Sequence, residues 1–222
     1  MSNRPLHPWD EVPGPLRPAH AYAAVRDWPG YFRAVEGKPA RETLIVALDA
    51  FEREGLPAAE RFAVDVGCGE GRDAAELAKR GWRVLAIDGH PEAIERISNR
   101  PDIPDPSLIE TRLAPFEGLA IPPARLVNSS FSLPFCLPEH FDALWGQIVA
   151  ALPPGGRFAG QLFGDRDGWA TLPDRSHQTR ARVDRMLAPF AVEMFNEEEK
   201  DGKDATENPK HWHVFHVVAR KK

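Results

Sequence analysis

A glycine-rich loop between a buried strand and a helix is the feature that most constrains this chain. The loop reads Asp65-Val66-Gly67-Cys68-Gly69-Glu70-Gly71. The apolar run 61–66 that leads into it is typical of a buried strand, and residues 73–80 after it repeat apolar side chains at helical spacing. A second apolar run follows at 83–87. Strand, glycine turn, helix and strand form a βαβ unit, so we expect two parallel strands joined by a right-handed crossover.

The rest of the chain continues to alternate strands and helices, which predicts an α/β fold with a doubly wound sheet and helices on both faces. The polar stretch 198–209 is predicted to be a mobile loop between the last two strands. Residues 1–50 are predicted to be an N-terminal lead, irregular at first and helical from 21 to 51, ahead of a domain at 51–222. Further strands are expected at 108–113, 126–128, 157–163, 191–197 and 211–219, and further helices at 139–152 and 176–187.

The loop glycines indicate a ligand that the backbone approaches closely. Glycine permits sharp turns, and the first N–H groups of a helix donate to anions, so a carboxylate or a phosphate fits this place. In a dinucleotide-binding loop the third glycine lies three residues after the second, where this chain has Arg72. That large charged side chain disfavours pyrophosphate binding. A P-loop is excluded because no Gly-Lys-Ser/Thr follows.

Asp88 is a second sign of a nucleoside ligand. It follows the strand at 83–87 and lies 21 residues after Gly67. An acid about 20 residues beyond the loop, at the carboxyl end of a strand, is placed to accept hydrogen bonds from ribose hydroxyls. Glycine turns and strand-end acids are each common, but together in one βαβ unit they predict a cofactor site.

Composition limits the partners and the compartment. The 222-residue chain has a formal net charge of -5, which disfavours nucleic acid as a partner because phosphate binding needs a clustered basic face. Two cysteines are too few for a disulfide scaffold, and the first residues do not resemble a signal peptide. No run approaches the ~18 apolar residues of a membrane helix. We therefore expect a cytoplasmic protein whose partner is neither nucleic acid nor a membrane.

At these residues the chain resembles the class I S-adenosylmethionine-dependent methyltransferases. The glycine loop matches the first motif of that family, Asp88 matches its ribose-binding acid, and the run Pro-Pro-Gly-Gly-Arg at 153–157 matches the turn before its fifth strand. The resemblance implies a Rossmann-like sheet of seven strands, mostly parallel with an antiparallel last strand, and S-adenosyl-L-methionine as the cofactor. The cofactor-binding residues that we predict are Asp65, Gly67, Cys68, Gly69, Gly71, Arg72, Asp88, Gly89, Phe116, Glu117 and Asn128.

The adenine contact departs from the family pattern. These enzymes usually have an acid just after the third strand for the adenine amine, and Ala114-Pro115-Phe116 stands there instead. By the resemblance, either Glu117 replaces that acid, or backbone contacts and packing on Phe116 hold the adenine.

A narrower similarity is to the tellurite-resistance and thiopurine methyltransferase branch. The segments 69–73, 81–88 and 217–221 resemble it, as does an aromatic, helical segment ahead of the domain that contains Trp28 and Tyr31.

The segment 128–136 is the candidate acceptor side, because it leaves the carboxyl edge of the sheet, where open α/β sheets bind ligands. Asn128 and Phe131 are expected to border the methyl site and Phe135 to shape the acceptor pocket, the alternative being a buried loop under the next helix. Cys136 is either a pocket wall or a core residue.

Methyl transfer is an in-line displacement, so alignment and exclusion of water supply most of the catalysis. No acid–base dyad is evident near the fourth strand, whereas a hydroxyl or amine acceptor needs a base. The predicted acceptor is therefore a small molecule with a thiol or another chalcogen nucleophile. An O- or N-methyltransferase and a non-catalytic regulatory protein that binds the cofactor are the alternatives.

A lid is predicted from Tyr31, Phe32 and Arg41. An aromatic face attracts a sulfonium, and arginine can bind a carboxylate with both arms of its fork. The alternative is an amphipathic helix that packs on the sheet with its charges outward.

The histidines near the C-terminal end are assigned mainly to a structural strand. His211 and His213 share one face of a strand while His216 points the other way, so only two ligands converge and no metal site is predicted. A place for His213 near the acceptor is the lesser alternative.

Overall fold

The structure, a computed structural model, describes residues 26–222. The predicted irregular lead therefore lies outside the described residues. Within 26–222, no helix is long and apolar enough to cross a membrane. The α-helices are α1 (Trp28–Val35), α2 (Glu42–Arg53), α3 (Arg72–Lys79), α4 (Pro91–Ser98), α5 (Pro138–Ala151) and α6 (Arg180–Met186). The strands are β1 (Phe62–Val66), β2 (Arg83–Asp88), β3 (Ile109–Leu113), β4 (Leu126–Ser129), β5 (Arg157–Gly164), β6 (His177–Gln178), β7 (Phe190–Lys203) and β8 (Pro209–Lys221).

These strands form one sheet in the order β3-β2-β1-β4-β5-β8-β7, with β6 paired to β5 beside that path. β1 to β5 pair in parallel, and β8 runs antiparallel to both β5 and β7. The predicted doubly wound α/β fold, mostly parallel with an antiparallel last strand, is confirmed. The two-residue β6 is added to the seven strands that we expected.

Two apolar cores, one on each face, explain why the central strands read as continuous apolar runs. All residues of β4 and β5 are buried. In β1 the pleat sends successive side chains to opposite faces. Val64 lies in the core that includes Ile148 of α5, whereas Ala63 lies in the core that includes Leu77 of α3. Complete burial of a valine, leucine or isoleucine side chain contributes roughly 1.5–3 kcal/mol to stability. Each face of the sheet therefore needs a layer of helices to cover it.

The order of the strands reverses between β1 and β4, which are neighbours in the sheet. In open α/β sheets the crevice at the carboxyl ends of two such strands is where ligands bind. The glycine loop follows β1 and the segment 128–136 begins in β4, so both predicted site segments meet at this crevice.

The stretch predicted to be helical forms two helices, which are separated by a turn at Gly37 and Pro39. Gly37 has φ +73°, a left-handed conformation that glycine adopts without strain, and Pro39 cannot continue a helix. α2 then buries Leu44, Leu48 and Phe51 in the core shared with β1 and β5. A boundary at residue 50 therefore falls inside a helix that packs on the sheet.

The last two strands are longer than predicted, and most of the mobile loop expected at 198–209 is strand. β7 and β8 stay paired as far as Lys203 and Pro209. The short turn between them is held by Asp204, whose Oδ1 accepts the N–H groups of Thr206 (2.8 Å) and Asn208 (3.0 Å). Because β8 pairs with β5 only from Val214 onward, the end of this hairpin projects beyond β5. The polar composition of 198–209 indicated a loop, but it reflects the exposure of the outer half of this hairpin.

The helix expected from residue 176 begins later, at Arg180. His177 and Gln178 are instead extended and pair with the end of β5. Thr179 caps the helix, since its Oγ1 accepts the N–H of Arg182 at 3.2 Å.

Candidate active site

The glycine loop between β1 and α3 is fixed to the end of β2. The backbone N–H groups of Gly67 and Cys68 both donate to the carbonyl of Ile87, at 2.8 and 3.0 Å. The N–H of Gly69 donates to Oδ2 of Asp88 at 2.9 Å, and the N–H two residues beyond Asp88 donates to its Oδ1 at 2.8 Å. Asp88 therefore fixes the loop after β1 and the turn after β2 relative to each other.

Close contacts require glycine at two of the three loop positions. Gly67 has φ +71° and Gly71 has φ +86°, in the left-handed region that favours glycine. A Cβ at Gly67 would overlap the side chain of Ser132, and one at Gly71 would overlap Ile97. Gly69, with φ +55°, has more room, because its Cβ would meet only one aromatic carbon, at 3.7 Å.

A cavity lies above the glycine loop at the carboxyl ends of β1, β2 and β4, and we call it the inner cavity. Its remaining wall includes four residues in or just before α1, namely Arg26, Trp28, Tyr31 and Phe32. The predicted cofactor-binding residues that line it are Asp65, Gly67, Cys68, Gly69, Arg72, Asp88, Gly89, Phe116 and Glu117.

Burial controls the protonation of the inner-cavity carboxyl groups. Desolvation raises the pKa of Asp88, although backbone N–H groups donate to it. Burial also raises the pKa of Asp65 well above its usual value, and the nearby charge of Asp73 raises it further. Asp65 is 1% exposed, and its Oδ2 has no hydrogen-bond partner among the described residues. A cationic donor in the inner cavity would satisfy that oxygen.

A second cavity of about 760 Å³ adjoins the first, and we call it the outer cavity. Its walls are α1, the loop after β5 and the projecting end of the β7–β8 hairpin. Five residues line both cavities and form what we call the junction. They are Arg26, Trp28, Tyr31, Phe131 and Phe135. The two cavities thus meet at a mainly aromatic passage.

Three arginines lie over the aromatic rings of the junction. The guanidinium carbon of Arg41 is 4.3 Å from the centre of the Phe131 ring, and those of Arg26 and Arg175 are 4.9 and 4.7 Å from the centre of Phe135. Such contacts are attractive because the face of an aromatic ring is electron-rich. Burial lowers the pKa of all three guanidinium groups, to about 10 for Arg175.

Residues 63–156 match the family model described as a methyltransferase domain. The matched segment contains the glycine loop, Asp88 and the turn before β5, which are the residues that the sequence analysis assigned to a cofactor. This segment is thus similar to a methyltransferase domain.

The chain is also similar to a curated protein and to solved structures. The S-adenosyl-L-methionine-dependent Diels-Alderase iccD of Talaromyces variabilis is 33% identical over 109 residues, or 47% of this chain and 36% of that protein. The chain thus spans about a third of the length of that curated relative. TehB from Haemophilus influenzae has a TM-score of 0.65 at 17% identity, covering 79% of this chain and 61% of TehB.

The 1,6-didemethyltoxoflavin-N1-methyltransferase of Burkholderia thailandensis, solved with 1,6-didemethyltoxoflavin and S-adenosylhomocysteine, has a TM-score of 0.58 at 21% identity. That match covers 95% of this chain and 93% of the other. At these identities the structural similarity shows the fold. The predicted methyltransferase family is supported by the match of residues 63–156, and the tellurite-resistance and thiopurine branch stays a prediction.

Asn128, which was predicted to contact the cofactor, lies beneath the inner cavity and does not line it. It is fully buried, and its Nδ2 donates to Oδ1 of Asp65 (2.8 Å) and to Oδ2 of Asp73 (3.1 Å). Asp73 also accepts the hydroxyl of Ser130 (2.5 Å) and the N–H of Arg41 (3.0 Å). Asn128 holds two carboxylates together, and Asp73 is a wall residue that the sequence analysis did not assign. Its place in the first turn after the glycine loop was the available signal.

Phe131 and Phe135, the residues predicted for the acceptor side, line both cavities. Phe131 has φ +54°, which is unusual and strained for a bulky residue. Its N–H donates to Oε1 of Gln161 at 3.1 Å, and Nε2 of the same amide donates to the hydroxyl of Thr43 at 3.0 Å. A buried side chain of β5 therefore helps to hold the strained backbone that points Phe131 into the junction.

Two other predicted residues serve packing instead of lining a cavity. Gly71 is the N-cap of α3, and its missing side chain gives room to Ile97. Cys136, for which a pocket wall and a core position were both open, is fully buried in the core with Phe141. Burial raises the pKa of its thiol to about 12, so the thiol stays protonated near neutral pH.

β8 places His213 on the side away from the outer cavity, as the structural interpretation predicted and contrary to the alternative place near the acceptor. His213 is fully buried, its Nδ1 accepts the N–H of Arg166 at 3.1 Å, and its Nε2 lies 3.0 Å from Oε1 of Glu197. Trp212 and His216 line the outer cavity instead. Strand alternation was predicted correctly, but it cannot tell which face meets a cavity. Within 26–222, no three His, Cys, Asp or Glu side chains are grouped so that they could hold a metal ion.

A buried lysine lies under the aromatic rings of the outer cavity. Nζ of Lys210 is 3.7 Å from the ring centre of Trp169, 4.3 Å from Trp212 and 4.9 Å from Phe163, and it pairs with Asp167. No local sequence pattern predicts this group, because Asp167 and Lys210 are 43 positions apart.

Proposed function

We propose that this chain is an S-adenosylmethionine-dependent methyltransferase that acts on a small molecule. The observation that carries the proposal is the junction, where the inner cavity of the methyltransferase domain opens into a larger aromatic cavity. A cofactor in the first and an acceptor in the second would meet there. The proposal is supported by a curated relative named for its dependence on S-adenosyl-L-methionine and by a methyltransferase of the same fold that contains S-adenosylhomocysteine.

The inner cavity fits the chemical groups of this cofactor. The unpartnered Oδ2 of Asp65 suits the ammonium of the methionine part. Each oxygen of Asp88 accepts one N–H and keeps a lone pair for a ribose hydroxyl. Phe116 offers a ring face and Glu117 a carboxylate to the adenine. When bound, the cofactor supplies an electrophilic methyl group on a sulfonium.

The junction residues would align the acceptor and exclude water from it. The aromatic rings of Trp28, Tyr31 and Phe131 present faces that attract a positively charged sulfur. An enclosed aromatic passage also restricts the approach of the acceptor to one direction, and such alignment can supply roughly 7–11 kcal/mol of the barrier reduction.

We propose sulfur, or another chalcogen, as the acceptor atom. Among the described residues, the junction contains no carboxylate and no histidine to take a proton. A thiol of low pKa reaches the thiolate form in water and needs no such base, whereas a hydroxyl or an amine does.

An oxygen or nitrogen acceptor is the second candidate, and His216 favours it. This histidine lines the outer cavity, and its Nε2 is buried without a hydrogen-bond partner among the described residues. Burial lowers the pKa of the imidazole, so it is neutral at pH 7 and able to accept a proton. The choice between the two candidates depends on whether His216 takes part in the reaction.

Calorimetric titration with S-adenosylmethionine, S-adenosylhomocysteine and NAD tests the cofactor. Micromolar binding of the first two without NAD is expected, and binding of NAD alone would contradict the proposal. A screen of thiols should then show, by mass spectrometry, one added methyl group for each S-adenosylhomocysteine formed. Binding of the cofactor without methyl transfer to any thiol, alcohol or amine would favour a regulatory protein or a reaction that leaves the cofactor intact.

A further inference from the structure

Two arginines at the wall of the outer cavity share a single carboxylate. Nη2 of Arg26 and Nη1 of Arg175 each lie 2.7 Å from Oδ2 of Asp174. The side chains of Arg26 and Arg175 are only 13% and 10% exposed. Nε of each is buried and has no hydrogen-bond partner among the described residues. The two arginines therefore carry two positive charges, of which Asp174 neutralises one. The Nε–H group of each arginine remains without an acceptor among the described residues.

Each carboxylate that lines the outer cavity is engaged with a group other than the two arginines. Asp27 accepts the N–H of Gly30 and caps α1. The others are engaged within the hairpin: Glu198 with Lys200, Glu207 with Lys203, and Asp204 with the N–H groups of its own turn. Glu117, which lines the inner cavity, attracts Arg26, and Asp167, which pairs with Lys210, attracts Arg175. Within residues 26–222, no carboxylate that lines the outer cavity pairs with either arginine.

The surroundings of the two arginines are flat and apolar. Both guanidinium groups lie over the ring of Phe135, as described above, and Arg175 is also 5.3 Å from the ring centre of Trp169. The Phe135 ring lies 5.0 Å from Trp28 and 6.2 Å from Trp169, centre to centre. A guanidinium donates two parallel N–H bonds to a carboxylate, and aromatic faces favour a planar ring.

We propose that the outer cavity takes aromatic carboxylic acids, with the carboxylate held by Arg26 and Arg175 and the ring lying among Phe135 and Trp169. The inference rests on the proposed function, since it names the class of acceptor for the same site. It concerns the outer cavity in particular, because Arg175 lines only that cavity whereas Arg26 lines both. The acceptor would therefore be an aromatic acid that carries its nucleophile on the ring.

Binding of 1-naphthoate and of its neutral counterpart 1-naphthamide tests this, in protein saturated with S-adenosylhomocysteine. Hydrogen bonds to a charged group correspond to roughly a 10- to 100-fold change in affinity, so naphthoate should bind at least about tenfold more tightly. Arg175→Met should remove that preference and Arg175→Lys should keep part of it. The matched control is Arg180→Met, because Arg180 also stacks on a phenylalanine, at 4.4 Å, but pairs with Asp184 and Glu197 and lines neither cavity.

Affinity for S-adenosylhomocysteine separates the outcomes. It should be unchanged in all three variants, and a loss in Arg175→Met with native circular dichroism would assign this arginine to the cofactor and overturn the inference. Equal binding of naphthoate and naphthamide to the unaltered protein would overturn it as well. If the cofactor product does not bind at all, the proposed function fails, and the naphthoate preference measured without cofactor still decides the role of the arginines.

Discussion

The inner and outer cavities differ in how far apart along the chain their walls lie. The core of the inner cavity is contiguous, with the glycine loop and Asp88 inside one βαβ unit at 62–88. The outer cavity combines α1, the loop after β5 and a hairpin tip beyond residue 198. Local backbone geometry therefore specifies the first, whereas the second exists only when distant segments pack together.

The two cavities also differ in the groups that hold them. The glycine loop is fixed by N–H bonds to Ile87 and Asp88, which change little when neighbouring side chains are replaced. The outer cavity is held by rings and paired charges such as Arg26 with Asp174 and Lys210 with Asp167. In such a domain, substitutions can alter the side chains of the outer cavity without altering the backbone contacts of the inner cavity. One fold can then carry different acceptor sites beside the same cofactor site.

The largest expected effect comes from the tightest point of the inner cavity. Gly67→Ala adds left-handed strain of roughly 1–2 kcal/mol and an overlap with Ser132 that costs roughly another 1–3 kcal/mol. Urea unfolding should show the sum of both costs as a lower free energy of unfolding, and calorimetry should show no binding of S-adenosylhomocysteine. Gly69→Ala is the matched control, because it carries the strain without the overlap. Equal losses in the two variants would show that contact with Ser132 does not shape the loop.

Asp88→Ala should have the next largest effect. It removes the acceptor for Gly69 and the proposed acceptor for the ribose, and a lost hydrogen bond to a charged group costs about 1.5–3 kcal/mol. Affinity for S-adenosylhomocysteine should fall accordingly in calorimetry, while the naphthoate preference of the outer cavity persists. Loss of both the affinity for S-adenosylhomocysteine and the naphthoate preference would mean that the two cavities are coupled.

Asp65→Asn should raise the stability of the cofactor-free protein and weaken cofactor binding. The pKa of Asp65 is higher in the folded chain than in the unfolded chain, because burial disfavours its charge. Folding is therefore favoured at low pH and loses stability as pH rises toward the raised pKa. The variant escapes that loss, so its advantage in the free energy of unfolding over the unaltered protein should be larger at pH 8 than at pH 5. Urea midpoints at the two pH values check this, and a constant difference would show that Asp65 does not titrate there.

These differences explain how much the sequence could predict. The glycine loop and Asp88 line the inner cavity and were predicted from a short motif inside one βαβ unit, whereas Phe116 was predicted from the family resemblance. Asn128 was misplaced because its burial depends on Asp65 and Asp73 meeting beneath the sheet edge. Neither contact follows from the spacing of apolar residues.

The outer cavity was beyond such patterns for the same reason. Arg26 and Asp174 are 148 positions apart, so only the folded chain brings them together. The end of the hairpin, 198–209, was predicted to be a loop because strands whose side chains are mostly exposed lack the apolar alternation that identifies a half-buried strand. In β8 the alternation was visible, but the choice between His213 and His216 required knowledge of which face meets the cavity.

His216→Gln is the smallest change and the one that separates the two candidate acceptor chemistries. With a sulfur acceptor, kcat should change by no more than about threefold, whereas loss of a general base costs roughly 100- to 10,000-fold. The pH profile of kcat/KM is an independent test of whether His216 takes a proton. If His216 takes a proton, the profile should show an acid limb below the ordinary pKa of histidine, since burial lowers that pKa, and the variant should lose it. If the limb instead follows the pKa of the thiol and survives in His216→Gln, the outer cavity contributes position and shape, and the chemistry takes place at the aromatic junction.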